Sequence, residues 1–221
     1  MSDLETNLAT VRERIARAAE RSRRDPASIR LLAVTKVFPA GAIRAAYELG
    51  LREFGENYVQ EFEGKAPHLG DLPDARYHLI GHLQSNKAKK AAELFQVVQT
   101  VDSAKLARRL DESGHALDVM LEVKLSAEQA KSGADPAELP ALIEVVGECR
   151  NLTLRGLMTM PPWSEDPEAS RGYFRTLREL AEQHRLSELS MGMSHDLETA
   201  IEEGATCVRV GTALFGKRMK A

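Results

Sequence analysis

Apolar residues along this chain follow two different spacings. Leu4, Leu8, Val11 and Ile15 recur every three or four positions, which places them on one face of a helix. Beyond Pro26 the pattern changes to compact apolar runs such as 29–35, which are too short for a helix of that kind and are bounded by polar residues. The chain therefore predicts a long opening helix followed by an alternation of strands and helices.

The alternation repeats regularly along the chain. The predicted strands are residues 29–35, 52–56, 77–83, 96–101, 117–123, 152–158, 189–193 and 206–210. The predicted helices follow them at 39–49, 59–68, 87–95, 104–113, 137–149, 168–184, 197–203 and 214–217. Strands separated by helices pair in parallel through right-handed crossovers. Eight such units in 221 residues match the (β/α)8 barrel.

An open, doubly wound α/β sheet is the rival architecture. A dinucleotide-binding sheet needs a glycine-rich turn after its first strand, and here that turn, 35–39, reads Thr-Lys-Val-Phe-Pro without glycine. We therefore expect a single α/β domain spanning residues 1–221, a (β/α)8 TIM barrel with an extra N-terminal helix.

Composition narrows the classes of function. Thirty basic and thirty-three acidic residues give a formal charge of -3, so no overall positive field favours nucleic acid or anionic lipid. No apolar run approaches the roughly 18 residues of a membrane span. The two cysteines, Cys149 and Cys207, lack metal-ligand spacing, which predicts neither a zinc site nor a disulfide framework. Acidic residues such as Asp3 and Glu5 argue against a transit peptide, so we expect a cytoplasmic protein.

In a (β/α)8 barrel the site lies at the carboxyl ends of the strands, so the first polar residue after each apolar run is a candidate. Lys36 ends the first run. At the rim of an apolar core a lysine loses part of its hydration, which frees the amine for Schiff-base chemistry. A lysine that simply extends to solvent is the ordinary alternative, and position alone does not decide between them.

The last two units add a candidate phosphate site. Their loops read Met191-Gly192-Met193-Ser194 and Gly211-Thr212, and (β/α)8 enzymes often bind phosphate in these loops. Ordinary turn chemistry explains either loop alone. A reactive lysine opposite a phosphate cradle is, however, the arrangement that suits pyridoxal 5'-phosphate (PLP). Arg209 shares a strand face with Gly211 and is predicted to point into the barrel, toward the pyridine nitrogen.

Several motifs, in order and spacing, resemble those of the pyridoxal phosphate homeostasis proteins. These motifs cover nearly the whole chain: Ala33 to Lys36, Phe54 to Glu61, His78 to Lys87, Lys131 to Gly133, Arg155 to Met158, Ser190 to Asp196 and Val208 to Gly216. The resemblance implies a barrel like the N-terminal domain of alanine racemase. It also implies PLP held covalently on Lys36 as an internal aldimine, in a protein that carries or buffers the cofactor without an established reaction.

Carried over by position, the resemblance places Asn57 beside the cofactor ring and Arg209 at the pyridine nitrogen. It assigns the phosphate to Ser194, Gly211 and Thr212. The chain departs from many relatives at His195, where they have Asp or Ala, so the local contacts of that loop are open.

Two further cofactor contacts are suggested by position rather than by the resemblance. His82 either lines the cofactor cavity or makes a structural hydrogen bond. Met158, with Met160 and Met193, either packs on the ring or fills the barrel core. Trp163 is predicted in a loop over the barrel mouth.

Two functions remain at this point, a PLP carrier that serves client enzymes and a one-domain amino-acid racemase. An arginine at the pyridine nitrogen cannot leave that nitrogen protonated as an aspartate would, so the ring is a poor electron sink. A two-base racemase also needs a second acid or base, which alanine racemases bring as a tyrosine from another domain. The four tyrosines here fall in helical or strand-start contexts, so the carrier is favoured. Charged outer helix faces, with residues such as Arg175 and Glu179, predict a monomer or at most a weak dimer.

Overall fold

The opening helix is present as predicted. This computed structural model describes residues 3–126 and 132–216. Helix α1, Asp3–Arg21, buries Leu8, Val11 and Ile15 and carries Asp3 and Glu5 in its first turn, where the helix dipole favours negative charge. The predicted apolar face is therefore the packed face.

The remaining elements alternate along the chain. The strands are β1 Arg30–Val34, β2 Glu53–Glu56, β3 Arg76–Leu79, β4 Val97–Val101, β5 Leu117–Glu122, β6 Leu152–Met158, β7 Glu188–Met193 and β8 Cys207–Val210. The helices that follow them within the described residues are α2 Ala40–Glu48, α3 Val59–Lys65, α4 Ala88–Leu94, α5 Ala104–Asp111, α6 Leu139–Glu148, α7 Arg171–Gln183, α8 Leu197–Glu202 and α9 Thr212–Phe215.

The strands form one closed parallel barrel in the order β1 to β8. Its seam is the pairing of β1 with β8, in which Ala33 lies opposite Val210. The predicted (β/α)8 architecture with an extra N-terminal helix is confirmed, and the open sheet is excluded.

Differences from the predicted bounds occur where turns replace regular structure. The predicted helix 59–68 ends at Lys65, and Ala66–His68 forms a 3-10 turn that contains Pro67. The predicted strand 77–83 ends at Leu79 because Gly81 lies against the backbone of Asn57, where a Cβ would stand 2.2 Å from the carbonyl oxygen. The predicted residues Lys131 and Lys217 lie outside the described ranges.

The main apolar core lies between the barrel and its helices. The end of the barrel at the amino ends of the strands is charged instead. Charged side chains from the amino ends of the strands close the floor of the barrel. Asp118 receives Arg76 at 2.7 Å and Arg155 at 2.8 Å, while Arg30 pairs with Glu188 at 3.1 Å. The floor is thus sealed by ion pairs, and the opposite end is left for a site.

Neither a membrane span nor a metal centre is found in the part of the chain that the structure describes. No helix there is both long and apolar enough to cross a bilayer. No group of three or more metal-ligating side chains occurs within residues 3–126 and 132–216.

Candidate functional site

A cavity of about 220 Å³ opens at the carboxyl ends of the strands. We call it the cofactor cavity. Its lining includes six of the predicted site residues, Lys36, Asn57, Ser194, Arg209, Gly211 and Thr212, together with Val34, Ile80, Met160, Met193, Trp163 and His195. The fold therefore brings together side chains that lie at opposite ends of the sequence.

Lys36 is half-buried between two anchored neighbours. On one side the buried Thr35 donates to Glu56 Oε1 at 2.7 Å, and Lys65 Nζ bonds both this oxygen, at 2.7 Å, and the Thr35 carbonyl, at 3.0 Å. Burial raises the pKa of Glu56, against the hydrogen bonds from Lys65 and Thr35. This network fixes the backbone that carries the lysine.

On the other side of Lys36, Val37 adopts a left-handed backbone with φ 64°. This conformation is strained for a β-branched residue. It is held by a hydrogen bond of 2.6 Å from the Val37 amide to Glu61 Oε1. The sequence assigned no role to Glu61, Lys65 or Val37, because their contacts join positions 24 and 30 residues apart.

Asn57 follows β2 and presents an amide with spare bonding capacity. Its Oδ1 atom is buried and has no hydrogen-bond partner among the described residues. An unpartnered buried acceptor is costly, so this atom is expected to meet a donor when the cavity is filled.

The loops after β7 and β8 are joined to each other. Ser194 Oγ accepts a hydrogen bond of 3.2 Å from the Ala213 amide at the start of α9. Gly192 has φ 86°, and a Cβ there would lie 2.4 Å from the Ala200 Cβ, so the tight turn needs glycine. Backbone amides, a hydroxyl and a Gly-Thr turn thus converge on one side of the cavity, which is chemistry that suits a phosphate.

Helix α1 holds both of these loops from behind. Arg14 donates to the Ser194 carbonyl at 3.0 Å and pairs with Glu198 at 2.6 Å. Asn7 donates to the Leu214 carbonyl at 2.9 Å. The sequence carries no local signal for these contacts, since Arg14 and Ser194 are 180 positions apart.

Arg209 is buried inside the barrel, as its position on β8 predicted. Its guanidinium donates to the Thr159 carbonyl at 2.9 Å and to Ser190 Oγ at 2.8 Å. Ser190 in turn donates to Gln99 Oε1 at 2.6 Å. The arginine is therefore held in one orientation by the neighbouring strand β7 and by the residue that follows β6.

The same series of hydrogen bonds continues to the barrel floor. Gln99 Nε2 lies 2.9 Å from His78 Nδ1, and His78 Nε2 bonds Glu53. Burial lowers the pKa of His78, which keeps the ring neutral with its proton directed to Glu53. Burial acts to raise the pKa of Glu53, but the bond from His78 holds it below the ordinary value.

The hydrogen bonds of this series can all run in the same direction, so that each side chain donates to the next, from the Arg209 cation to the Glu53 anion. Among the described residues Arg209 forms no direct ion pair, and burial lowers its pKa. Aligned polar groups compensate a buried charge when no counterion is adjacent. We call the five side chains of Arg209, Ser190, Gln99, His78 and Glu53 the interior relay.

Two predicted cofactor contacts lie outside this cavity. Met158 is fully buried in β6, paired with Ser190 in the strand register, and does not line the cofactor cavity; Met160 does. His82 is exposed, with Nδ1 3.7 Å from Asp102, and lines a neighbouring cavity. The Trp163 ring, which is 73% exposed, stacks on His195 at 6.3 Å between ring centroids.

A closed (β/α)8 barrel with an N-terminal helix, a lysine after its first strand and two joined glycine loops after its last strands defines a class. The family model described as alanine racemase, N-terminal domain, matches residues 6–219, so the chain belongs to that class of barrel.

Individual relatives narrow this assignment. The pyridoxal phosphate homeostasis protein of Pseudomonas aeruginosa is 51% identical over 99% of this chain and 97% of its own length. That of Aquifex aeolicus is 44% identical over 96% of each chain. The solved structure of PipY from Synechococcus elongatus with PLP bound is 43% identical, covers 96% of this chain and 100% of its own, and superposes with a TM-score of 0.83. This chain belongs to the pyridoxal phosphate homeostasis protein family.

Proposed function

We propose that this protein binds PLP covalently through Lys36 and carries or buffers it as part of PLP homeostasis, without a catalysed reaction of its own. The observation that carries the proposal is the cofactor cavity, which places Lys36 and the two joined glycine loops around one space. PLP has an aldehyde for a primary amine and a phosphate for backbone amides, so it needs two such separated anchors.

The residues present fit this cofactor. In the proposal Ser194, Gly211 and Thr212 hold the phosphate, Asn57 contacts the ring, and Arg209 donates to the pyridine nitrogen. The unpartnered Asn57 Oδ1 and the buried Arg209 cation are the polar groups that a bound ring and its substituents would satisfy. Arginine stays protonated, so it favours an unprotonated pyridine nitrogen and a weak electron sink.

Transfer to client PLP-dependent enzymes belongs to the same proposal, and the surface around the mouth supports it. The exposed large hydrophobic side chains among the described residues are Val37, Tyr58, Met160 and Trp163. Each follows the carboxyl end of a barrel strand, so they lie at the same end of the barrel as the cofactor cavity, and Met160 and Trp163 line that cavity. Exposed apolar side chains gathered in one place are typical of a surface that meets other proteins.

The proposal also takes residues 1–221 to be one domain that works as a monomer in the cytoplasm. Both cysteines are free thiols, Cys207 buried and Cys149 partly so, as suits a reducing compartment.

Chemical labelling tests the site. The purified protein should show a visible absorption band of bound PLP, and borohydride reduction followed by peptide mass analysis should place the label on Lys36. Lys36→Ala should abolish the label and retain non-covalent affinity, because the phosphate loops remain. Lys105→Ala, an exposed lysine on α5, is the matched control and should label normally. A label found mainly on Lys124 or Lys131 would overturn the site.

A separate assay tests the absence of a reaction. The PLP-loaded protein is incubated with a panel of L-amino acids, and chiral inversion is measured. We expect none above background. Inversion at ordinary enzyme rates, on the order of 1 per second or more, would make the protein a one-domain racemase instead.

A further inference from the structure

A second cavity, of about 650 Å³, lies beside the cofactor cavity. We call it the side cavity. Met160, Trp163 and Met193 line both spaces, so the two cavities share part of their walls. The rest of its wall comes from β5 and the segments after β3, β5 and β6, which the proposed PLP contacts do not use. A ligand in the side cavity would therefore be a neighbour of the cofactor and would not compete with it.

Glu122, the last residue of β5, is the buried polar group of this cavity. It is 3% exposed, and its Oε2 atom has no hydrogen-bond partner in the part of the chain that the structure describes. Within the described residues no ion pair or hydrogen bond reaches its carboxyl group. A buried carboxyl group without a partner destabilises a fold, so its presence at a cavity wall points to a donor that enters from outside.

The surroundings select the charge of that donor. A second carboxylate, Asp102, lies close enough to act on Glu122, while Arg209 acts in the opposite sense from the barrel interior. Lys124 stands in the same wall and forms no ion pair with Glu122 in the part of the chain that the structure describes. A buried carboxylate with a second carboxylate acting on it attracts a cation that can donate several hydrogen bonds.

The remaining walls select the shape of the ligand. Leu125, Pro161 and the three shared side chains are apolar or aromatic and would pack on a hydrocarbon chain. Thioether and indole groups also suit a cation with an aliphatic stem. An ammonium group on a short alkyl chain satisfies both the polar end and the apolar walls.

We propose that the side cavity binds a primary alkylammonium group, with the Glu122 carboxylate as its acceptor. This inference rests on the proposed function, because the amine would lie beside the cavity that is proposed to hold PLP. A lysine side chain of a client protein and a free amino acid both carry this group, and the two sources are separated by experiment.

The single tryptophan of the chain, Trp163, lies in the wall of the side cavity and reports on its occupancy. The full chain is loaded with PLP and reduced with borohydride, so that the cofactor is fixed and cannot exchange with added amine. Trp163 fluorescence is then followed during titration with n-butylammonium chloride at pH 8. A saturable change is expected, with n-butanol as the uncharged probe of equal stem binding at least about 10-fold more weakly.

Substitution tests the role of the carboxylate. Glu122→Gln keeps the shape of the side chain and should weaken n-butylammonium binding at least about 10-fold. Glu63→Gln, on the exposed face of α3, is the matched control and should leave binding unchanged. Equal affinity in Glu122→Gln and the unsubstituted protein, or equal affinity for butanol and butylammonium, would overturn the proposal.

The pH dependence of binding to the unsubstituted protein tests the same proposal without relying on Glu122→Gln to fold. Affinity for n-butylammonium should fall as Glu122 is protonated below pH 7, whereas binding that is flat from pH 6 to pH 8 contradicts the proposal. Asp102 and Arg209 act on Glu122, and Lys124 and His82 stand in the wall of the same cavity, so the profile is repeated with His82→Gln, which should retain the same slope.

Two further arms identify the source of the amine. Binding of Nα-acetyl-lysine amide without binding of L-alanine indicates a protein lysine, and the reverse indicates a free amino acid; neither binding, with butylammonium also silent, overturns the site. If borohydride places no label on Lys36, the proposed function fails. The titration on the unlabelled chain then decides the side cavity by itself.

Discussion

At the scale of single residues, Arg209 is the side chain on which the character of the cofactor site depends. It is a buried cation whose nearest compensation is a series of polar groups that ends at Glu53. Its five N–H donors and permanent charge allow it to donate to the pyridine nitrogen of PLP and not to accept a proton from it. The low reactivity toward amino acids that we propose for bound PLP follows from having an arginine at this position.

Arg209→Glu should make the site more reactive. A carboxylate at this position favours a protonated pyridine nitrogen and therefore a better electron sink. In the variant that folds and binds PLP, conversion to the pyridoxamine form with L-alanine should exceed the wild-type rate, followed as loss of the visible band. Equal rates at matched PLP occupancy would show that Arg209 does not control the ring.

Arg209→Glu should also destabilise the folded protein, because the Thr159 carbonyl would then face a carboxylate.

Ser190→Ala is a milder substitution that tests the interior relay. It removes one of the two acceptors of Arg209 and the donor to Gln99, which should lower the free energy of unfolding by about 1–3 kcal/mol. Thermal unfolding measures that loss, and an unchanged PLP spectrum in the folded variant would mean that the relay does not orient Arg209.

Glu122 gives the stability a defined pH dependence. Burial, with the nearby Asp102, raises the pKa of Glu122 to about 7 from the ordinary 4.5. The folded state therefore holds a proton that the unfolded chain loses, and stability falls as pH rises from about 4.5 to about 7.

Glu122→Gln should remove this dependence. Without added amine, the variant should gain up to about 3 kcal/mol of unfolding free energy at pH 8 and nothing at pH 4. Denaturant unfolding at both pH values measures the difference. A variant that is less stable than the parent at pH 8 would mean that the carboxylate has a partner in the folded protein.

At the scale of elements, the extra helix α1 is part of the site. Although it lies outside the barrel and contacts no ligand space, it holds the loop after β7 through Arg14 and the turn after β8 through Asn7. An element added before the first strand thus reinforces the last two loops, because the barrel closes by placing β8 beside β1.

Arg14→Ala should weaken PLP binding without preventing the covalent label. Loss of the bond to the Ser194 carbonyl and of the half-buried pair with Glu198 is worth about 1 kcal/mol, which corresponds to an affinity reduced about 5-fold. Arg17→Ala is the control, since Arg17 is exposed and its ion pair among the described residues is with Glu13 of the same helix, at 3.4 Å. Equal PLP affinity in the two variants, measured by titration of the visible band, would refute a role for α1.

At the scale of the whole molecule, charged side chains cover much of the helical surface. Arg171 forms ion pairs with Glu168, Glu202 and Glu203. Arg21 also pairs with Glu202, so ion pairs connect α1, α7 and α8 in this region. The exposed large hydrophobic side chains among the described residues stand at the mouth instead. A stable dimer through the outer helices would therefore have little apolar surface to bury.

We expect a monomer in solution. Sedimentation velocity from micromolar to about 0.1 mM protein should give one species of the mass of a single chain. A dimer that persists on dilution, with more than roughly 1,000 Å² of buried surface, would contradict this expectation. The same measurement on Trp163→Ser distinguishes association through the mouth, because removing the most exposed hydrophobic side chain would then restore the monomer.

The sequence by itself determined the order and number of the elements. Local spacing is sufficient for this, because helix and strand impose different periods on apolar positions. The strand 152–158 was predicted at its observed bounds, and Leu8, Val11 and Ile15 identified the buried face of α1. The carboxyl ends of parallel strands must meet at one end of a barrel, so the sequence also placed Lys36, Arg209 and Gly211 together.

Only the tertiary structure decided which polar groups pair inside the barrel and behind the loops. Ser190 and Gln99 are 91 positions apart, and their bond depends on which side chains of distant strands share a layer. Spacing along the sequence also does not show which layer of the barrel a side chain occupies or which strand it neighbours. The sequence therefore could not show that Met160 and not Met158 lines the cofactor cavity, or that His82 lines the side cavity. An unpartnered carboxyl group such as that of Glu122 is visible only when all its neighbours are in place, because being unpartnered is a property of the packed surroundings.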